Sequence, residues 1–164
     1  MQIIEVTEAT LPDAGYVHAE SWKASHRSFC SAAFVEKHTP AAQTEYLRRE
    51  MDAGKNVYML VDEHPVGIVS VHGSMIENLY VLPGKQRKGY GSLLLRYAIG
   101  QCEESAALWV LNTNGDAGRL YERHGFRVTG HRKTLKNDMY EIEMRRESEP
   151  EPVRCGDATD IGGA

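Results

Sequence analysis

Residues 81–91 read Val81-Leu82-Pro83-Gly84-Lys85-Gln86-Arg87-Lys88-Gly89-Tyr90-Gly91, and no other segment says as much about the architecture. The segment ends a strand-like apolar run that begins at Ile76, and it leads into an apolar helical pattern over residues 92–99. The first N–H groups of a helix lack internal partners, and the helix dipole favours negative charge beside them. The last two glycines would let a phosphate approach the backbone, and three cations add positive charge. The segment therefore predicts a loop that binds a phosphorylated ligand.

Two common phosphate-binding motifs do not match this loop. A P-loop needs a lysine and a hydroxyl residue after its second glycine, and neither follows here. A dinucleotide fingerprint needs a third glycine three residues after Gly91, where the chain has Leu94. A Gly-x-Gly pair alone is more often just a tight turn, so the loop by itself leaves its ligand open.

The segment Gln86–Gly91 does resemble a family motif, the Gln/Arg-x-x-Gly-x-Gly/Ala loop of the GNAT N-acetyltransferases. In that family the backbone amides of the loop hold the pyrophosphate of acetyl-CoA. The resemblance implies that acetyl-CoA is the co-substrate of this chain.

A second motif follows the short apolar strand candidate Leu108–Leu111. It resembles the later signature of the same family, Asn-x-x-Ala-x-x-x-Tyr-x-x-x-Gly-Phe. Asparagine suits a helix N-cap, and glycine suits the left-handed residue that ends a helix. Two motifs in the correct order make the resemblance strong. The matching residues are Asn114, Ala117, Tyr121, Gly125 and Phe126.

The resemblance assigns roles to individual residues. Tyr121 would protonate the departing thiolate or donate a hydrogen bond to it, and packing of its ring is the alternative. Glu77 would be the base that takes a proton from the amine, and a solvated charge at a strand end is the alternative. The residues implied to bind acetyl-CoA are Leu79, Val81, Gln86, Arg87, Lys88, Gly89, Tyr90, Gly91, Ser92, Asn114 and Ala117.

Strand periodicity adds a prediction about the segment before the loop. Alternation places Glu77, Leu79 and Val81 on one face of the strand, and Asn78 and Tyr80 on the other.

The acceptor side is less clear from the sequence. Residues 21–27 resemble a stretch that shapes the acceptor pocket in some family members, and they contain Trp22 and His26. An aromatic residue at helical spacing is also typical of a core position. His72, His26 and Glu20 are substitutes for Glu77 as the base.

The pattern along the chain predicts the element order β-α-α-β-β-β-α-β-α-β-β. This is the order of the acyl-CoA N-acyltransferase fold, a single α/β domain with a mixed sheet of about seven strands flanked by four helices. The domain is predicted over residues 1–146. A tight turn is expected at residues 62–65, and the Glu/Pro-rich residues 147–164 predict a polar, flexible tail.

The composition of the chain argues against several classes of partner and ligand. The chain has 164 residues and a formal charge of −4, which argues against nucleic acid as a partner. An acidic surface weakly favours cationic acceptors. The three cysteines lie in no metal-ligand spacing, so no metal site is predicted. Neither a signal peptide nor an apolar span of membrane length is evident, and a cytoplasmic location without membrane contact is expected.

The sequence thus predicts an enzyme that transfers the acetyl group of acetyl-CoA directly to a primary amine, without a covalent enzyme intermediate. We expect the acceptor to be a small molecule. The sequence leaves the oligomeric state open, and a homodimer is one option because members of the family it resembles are often dimers. The alternatives are an acetyltransferase acting on a protein N-terminus or a lysine, and a non-catalytic module that binds CoA.

Overall fold

The structure is a computed structural model of the chain, and it describes residues 1–136 and 138–147. The strands are β1 (Gln2–Glu5), β2 (Asn56–Asp62), β3 (His64–His72), β4 (Met75–Val81), β5 (Ala107–Leu111), β6 (Phe126–Thr134) and β7 (Tyr140–Arg146). The helices are α1 (Leu11–His26), α2 (Ala32–Glu36), α3 (Pro40–Asp52), α4 (Tyr90–Gln101) and α5 (Gly115–Arg123). The predicted tail lies outside the described residues from Ser148 onward.

The seven described strands form one mixed sheet in the order β1-β2-β3-β4-β5-β7-β6. Only the β4–β5 pair is parallel, because α4 crosses over between these two strands. The predicted fold class is confirmed. The described residues contain five helices rather than four, because the five-residue α2 is too short to show a helical period in the sequence.

Helices cover both faces of the sheet. On one face α1 and α3 enclose a core that includes Leu11, Leu47 and Ile68. On the other face α4 and α5 enclose a second core that includes Leu94 and Phe126. The central strands are therefore buried on both sides, which fixes their positions firmly.

The turn after β2 is tighter than the sequence predicted. Asp62 pairs with His64, and Pro65 already pairs with Val61, so Pro65 belongs to β3 rather than to the turn. Glu63 alone makes the reversal, with a φ of 62°.

Strand β4 contains a bulge, and for this reason the predicted alternation is wrong for Glu77. Leu79 and Val81 share one face and Asn78 and Tyr80 share the other, as predicted. Glu77 pairs with Ser70 and Tyr80 pairs with Ile68, so two residues of β4 stand opposite one residue of β3. Asn78 takes up the extra length in the left-handed region, at φ 48°. Glu77 and Tyr80 therefore face the same side of the sheet, whereas Leu79 packs against the core beneath α4 and α5.

The bulge coincides with a gap in the sheet. Strands β4 and β5 pair only at Met75 with Ala107 and at Ile76 with Leu108. Beyond Ile76 the edge of β4 that faces β5 has no strand partner among the described residues. Apart from the Val81 carbonyl, which accepts a hydrogen bond from Gln86, the backbone groups of this edge are open to another molecule.

No helix in the described part of the chain is both long enough and apolar enough to cross a membrane.

The contact between α1 and α3 depends on Gly15. A Cβ at this buried position would lie 2.8 Å from the backbone nitrogen of Thr44 and 2.9 Å from its Cα. Both atoms belong to the α3 backbone, so the helices would have to move apart.

We predict that Gly15→Ala lowers the free energy of unfolding by about 1–3 kcal/mol. Gly100→Ala is the matched control, because Gly100 is also helical and an added Cβ would meet nothing within 4 Å. That variant should gain about 0.5–1 kcal/mol. Urea unfolding measures both, and equal stabilities of the two variants would contradict the close helix contact.

Candidate active site

The predicted phosphate loop leads directly from β4 into α4. Gly89 precedes the helix at φ 86°, a conformation that favours glycine. The first N–H of the helix that finds a helical partner is that of Leu93, which donates to the Gly89 carbonyl. Within the described residues the N–H groups of Tyr90, Gly91 and Ser92 donate to no acceptor. The N-terminus of α4 is thus open to an anion.

Side chains brace this loop against the rest of the domain. Gln86 Nε2 donates to the Val81 carbonyl oxygen at 3.1 Å, and the Tyr90 hydroxyl donates to the Asp62 carboxylate. Ser92 Oγ lies 3.2 Å from His124 Nε2.

Two cations of the loop are solvent-exposed. Lys88 is exposed, and an Arg87 nitrogen lies 3.6 Å from an Asp116 oxygen at the start of α5. Such an exposed pair contributes little to stability, so Arg87 can exchange Asp116 for another anion.

The second motif forms helix α5, as the spacing of its residues predicts. Asn114 Oδ1 accepts a hydrogen bond from the Ala117 N–H at 3.2 Å, which caps the helix. Gly125 follows the helix at φ 87°. The predicted cap and the predicted left-handed glycine are both confirmed.

Tyr121 projects from α5 into the core next to β4. It is only 8% exposed, and its cluster includes Leu79 and Val81. Its ring centroid lies 6.0 Å from that of Phe126. Burial raises the pKa of Tyr121 to about 12, so the phenol is neutral at pH 7.

Glu77 is engaged in an ion pair. Its Oε2 accepts a hydrogen bond from Lys55 Nζ at 2.6 Å, and the same ammonium binds Glu50 of α3. Burial alone would lower the pKa of Lys55, but the two carboxylates outweigh it and raise the pKa, so Lys55 stays charged. One oxygen of Glu77 is therefore occupied, and Oε1 is the one left for a water or an amine.

A cleft of about 410 Å³ lies where α1, α3 and β4 meet. Aromatic rings form much of its wall, and they belong to Trp22, His38, Tyr46 and Tyr80. Asn78, the residue of the bulge, also lines it. Of the predicted site residues only Trp22 reaches this cleft. The other lining residues were not predicted from the sequence, because only the bulge and the contact between α1 and α3 bring them together.

Trp22 is held between two imidazoles. The His26 ring stacks on it at 3.8 Å between centroids, and the His38 ring stacks at 3.4 Å. His26, the second predicted acceptor residue, supports Trp22 and does not line the cleft.

His18 is a further residue of the cleft that the sequence analysis did not single out. It is 3% exposed, and neither ring nitrogen has a hydrogen-bond partner among the described residues. Its ring lies 5.3 Å from that of Tyr46 and 5.0 Å from that of Tyr80. A buried polar group without a partner costs about 1–3 kcal/mol and often marks a functional site. The signal in the sequence was the spacing of four residues between His18 and Trp22, which places both on one helix face.

The environment of His18 predicts a loss of stability in acid. Burial lowers its pKa from 6.5 to about 4, although the nearby Asn78 side chain opposes the shift. The unfolded chain therefore binds a proton at higher pH than the folded chain, and stability falls as the pH drops from 6.5 towards 4.

Because of His18, the free energy of unfolding should be about 2 kcal/mol lower at pH 5 than at pH 7.5. His18→Phe should remove this difference, and His72→Phe, at an exposed position, should not. Urea unfolding of the three proteins at both pH values makes the comparison. An equal loss in wild type and His18→Phe would refute the assignment.

A second, more open depression of about 530 Å³ lies beside α5 and the start of β6, lined by Arg119, Glu122, Arg123 and Arg127. None of the predicted site residues lines it.

Solved structures with the same fold include two that contain coenzyme A or acetyl-CoA. The PaiA N-acetyltransferase of Thermoplasma acidophilum, solved in complex with coenzyme A, is 20% identical with a TM-score of 0.64. The match covers 87% of this chain and 96% of that one. The YncA protein of Salmonella typhimurium, solved with its cofactor acetyl-CoA, is 16% identical with a TM-score of 0.66, and the match covers 94% of this chain and 99% of that one. At these levels of identity the similarities show a shared fold and nothing further.

Among curated proteins, none matches this sequence. The profile of the Acetyltransferase (GNAT) domain family, however, matches residues 14–148, which is most of the chain. The match includes the open helix N-terminus, the bulged strand and the capped helix that carries Tyr121. The chain belongs to the GNAT acetyltransferase family.

Proposed function

We propose that this protein is an N-acetyltransferase that moves the acetyl group of acetyl-CoA to the amine of a small acceptor. The observation that carries the proposal is the arrangement around the bulge. The unpaired edge of β4 and the open N-terminus of α4 lie in sequence along the chain, and the aromatic cleft reaches the same strand at Asn78. Acetyl-CoA bound along the unpaired edge and an amine bound in the cleft would thus meet at β4.

The residues present suit acetyl-CoA. The free N–H groups at the start of α4, with Arg87 and Lys88 beside them, would hold the pyrophosphate. The backbone of Leu79 and Val81, on the unpaired edge of β4, would hold the pantetheine arm. Acetyl-CoA would supply the acetyl group as a thioester, so that the amine nitrogen forms the new C–N bond while the C–S bond breaks.

The protein would then have two proton transfers to manage. An ammonium like that of lysine has a pKa of about 10.4, so presenting it as a neutral amine at pH 7 costs roughly 4–5 kcal/mol. On the other side, the leaving sulfur must be stabilised and finally protonated. Binding both reactants together supplies the remaining advantage through proximity.

Tyr121 would serve the leaving sulfur mainly as a hydrogen-bond donor. A thiol has a pKa near 8.5, and burial raises the pKa of Tyr121 to about 12. Full proton transfer from this phenol would be uphill by roughly 5 kcal/mol. A hydrogen bond that strengthens as charge develops on sulfur lowers the barrier without that cost.

Glu77 would take the proton from the amine through Oε1, directly or through a water. Its partner Lys55 fixes the orientation of the carboxylate. His18 is a second group that could accept this proton, because it is neutral and both ring nitrogens lack partners among the described residues.

The size of the cleft favours a small acceptor over a peptide. A volume of about 410 Å³ falls within the usual range for small-molecule sites. A lysine or N-terminal acceptor on a protein would need an open groove instead. The presence of both Tyr121 and an open N-terminus of α4 also disfavours a module that only binds CoA.

We expect Tyr121→Phe to lower kcat at least about tenfold, because one hydrogen bond to a developing charge is lost. Acetyl-CoA affinity should change little, since the ring remains. Thiol release gives kcat and calorimetry gives the affinity. Tyr97→Phe is the control, because Tyr97 packs against the same core from α4. A normal kcat for Tyr121→Phe would leave only a packing role.

Glu77→Gln should lower kcat and abolish the fall of the rate at acidic pH that arises when the base takes up a proton. Glu50→Gln is the matched control, because it removes the other carboxylate from Lys55. The pH–rate profile of kcat/KM distinguishes them. If Glu77→Gln leaves the pH–rate profile unchanged, Glu77 is not the base, and His18 becomes the candidate.

A further inference from the structure

The charges that line the aromatic cleft are all positive. Lys37 and Arg49 line it, and no aspartate or glutamate of the described residues does. Composition alone does not explain this, because the chain has 23 acidic residues against 19 lysines and arginines.

Neither Lys37 nor Arg49 forms an ion pair with a carboxylate in the described residues. Neighbouring cations do so: Lys23 binds Glu20, Arg48 binds Glu8 and Glu45, and Lys55 binds Glu50 and Glu77. The two cations of the cleft therefore remain available to an anion in the cleft.

The nearest carboxylates offset this charge only in part. Glu50 and Glu77 lie close to Tyr46, and they share the Lys55 ammonium. Neither lines the cleft.

Arg49 stands where it can bind the acceptor molecule. It lies three residues after Tyr46, one turn along the same face of α3. Tyr46 in turn contacts the ring of His18. A guanidinium binds a carboxylate through two parallel hydrogen bonds, which a lysine does not do.

The interior of the cleft is neutral and aromatic. Asn78, Tyr80 and the neutral His18 surround the place nearest the bulge, and the rings of Trp22 and Tyr46 offer flat apolar surface. An amine at the bulge would meet hydrogen-bond acceptors, and an apolar side chain would meet the rings.

We infer that the acceptor is an amino acid with an aromatic or apolar side chain, whose carboxylate is bound by Arg49. This inference rests on the proposed function for the position of the amine beside β4. Lys37 adds to the positive field, and Arg49 supplies the directional contact.

The test uses pairs of acceptors that differ only in the carboxylate: phenylalanine with phenethylamine, and leucine with 3-methylbutylamine. Release of CoA thiol from acetyl-CoA gives kcat/KM for each. The wild type should favour the amino acid of each pair by at least about tenfold. Arg49→Gln should lose about tenfold for the amino acids, mainly through KM, and should leave the plain amines nearly unchanged.

Arg48→Gln is the matched control, because it removes the same charge from the same helix at a position that does not line the cleft. It should leave the ratio within each pair unchanged. A wild type that prefers the plain amines, or an Arg49→Gln that loses activity equally on both members of a pair, would overturn the inference.

Failure of the proposed function has a different signature, which is the absence of thiol release with every acceptor. In that case calorimetry with the CoA-saturated protein decides the inference on its own. Tighter binding of phenylalanine than of phenethylamine, abolished by Arg49→Gln and kept by Arg48→Gln, would support it. Equal binding, or no binding of either, would overturn it.

Discussion

The structure depends on one irregularity of the backbone, the bulge at Asn78. A regular β4 would pair with β5 along its length and would present its side chains in strict alternation. The extra residue instead places Glu77 on the same side of the sheet as Tyr80, while Leu79 packs beneath α4 and α5. The same residue lies just beyond the last pairing of β4 with β5. One conformation at φ 48° thus accompanies both the gap in the sheet and the approach of the cleft to it.

Such a bulge persists only where the surroundings fix it, and two layers of helices do so here. Strand β4 keeps its pairing with β3 on both sides of the bulge, at Glu77 and at Tyr80. Asn78 Nδ2 donates to the buried Ser70 Oγ at 3.3 Å, which replaces part of the interrupted ladder. The close contact of α1 with α3 at Gly15 holds the opposite wall of the cleft. His18 beside this wall has no hydrogen-bond partner among the described residues, and the two cores offset that cost.

Much of this fold could be predicted from local sequence signals. The loop before α4, the Asn114 cap and the left-handed Gly125 depend on neighbouring residues, so their motifs carry the information. The bulge was not predictable in this way, because alternation assumes regular pairing and Asn78 gains its conformation from β3. The ion pair of Glu77 with Lys55 is also tertiary, since Lys55 lies 22 residues from its partner. Helix α2 was missed because five residues are too few to show a helical period.

The charge of the cleft could not be predicted from the sequence either. A net charge of −4 weakly favours cationic acceptors, yet charges beyond about 10 Å are largely screened at ordinary salt. The charges that act on a bound molecule are those in and beside its site. The charged side chains that line the cleft and flank the helix N-terminus are positive, and the Glu77 carboxylate lies beside the cleft without lining it. Arg87 and Lys88 flank the helix N-terminus, and Lys37 and Arg49 line the cleft. A purely cationic acceptor would therefore be repelled from the cleft, whereas an acceptor that carries its own carboxylate would offset the charge it meets. The local arrangement of charge, which only the fold defines, outweighs the composition on which the sequence argument relied.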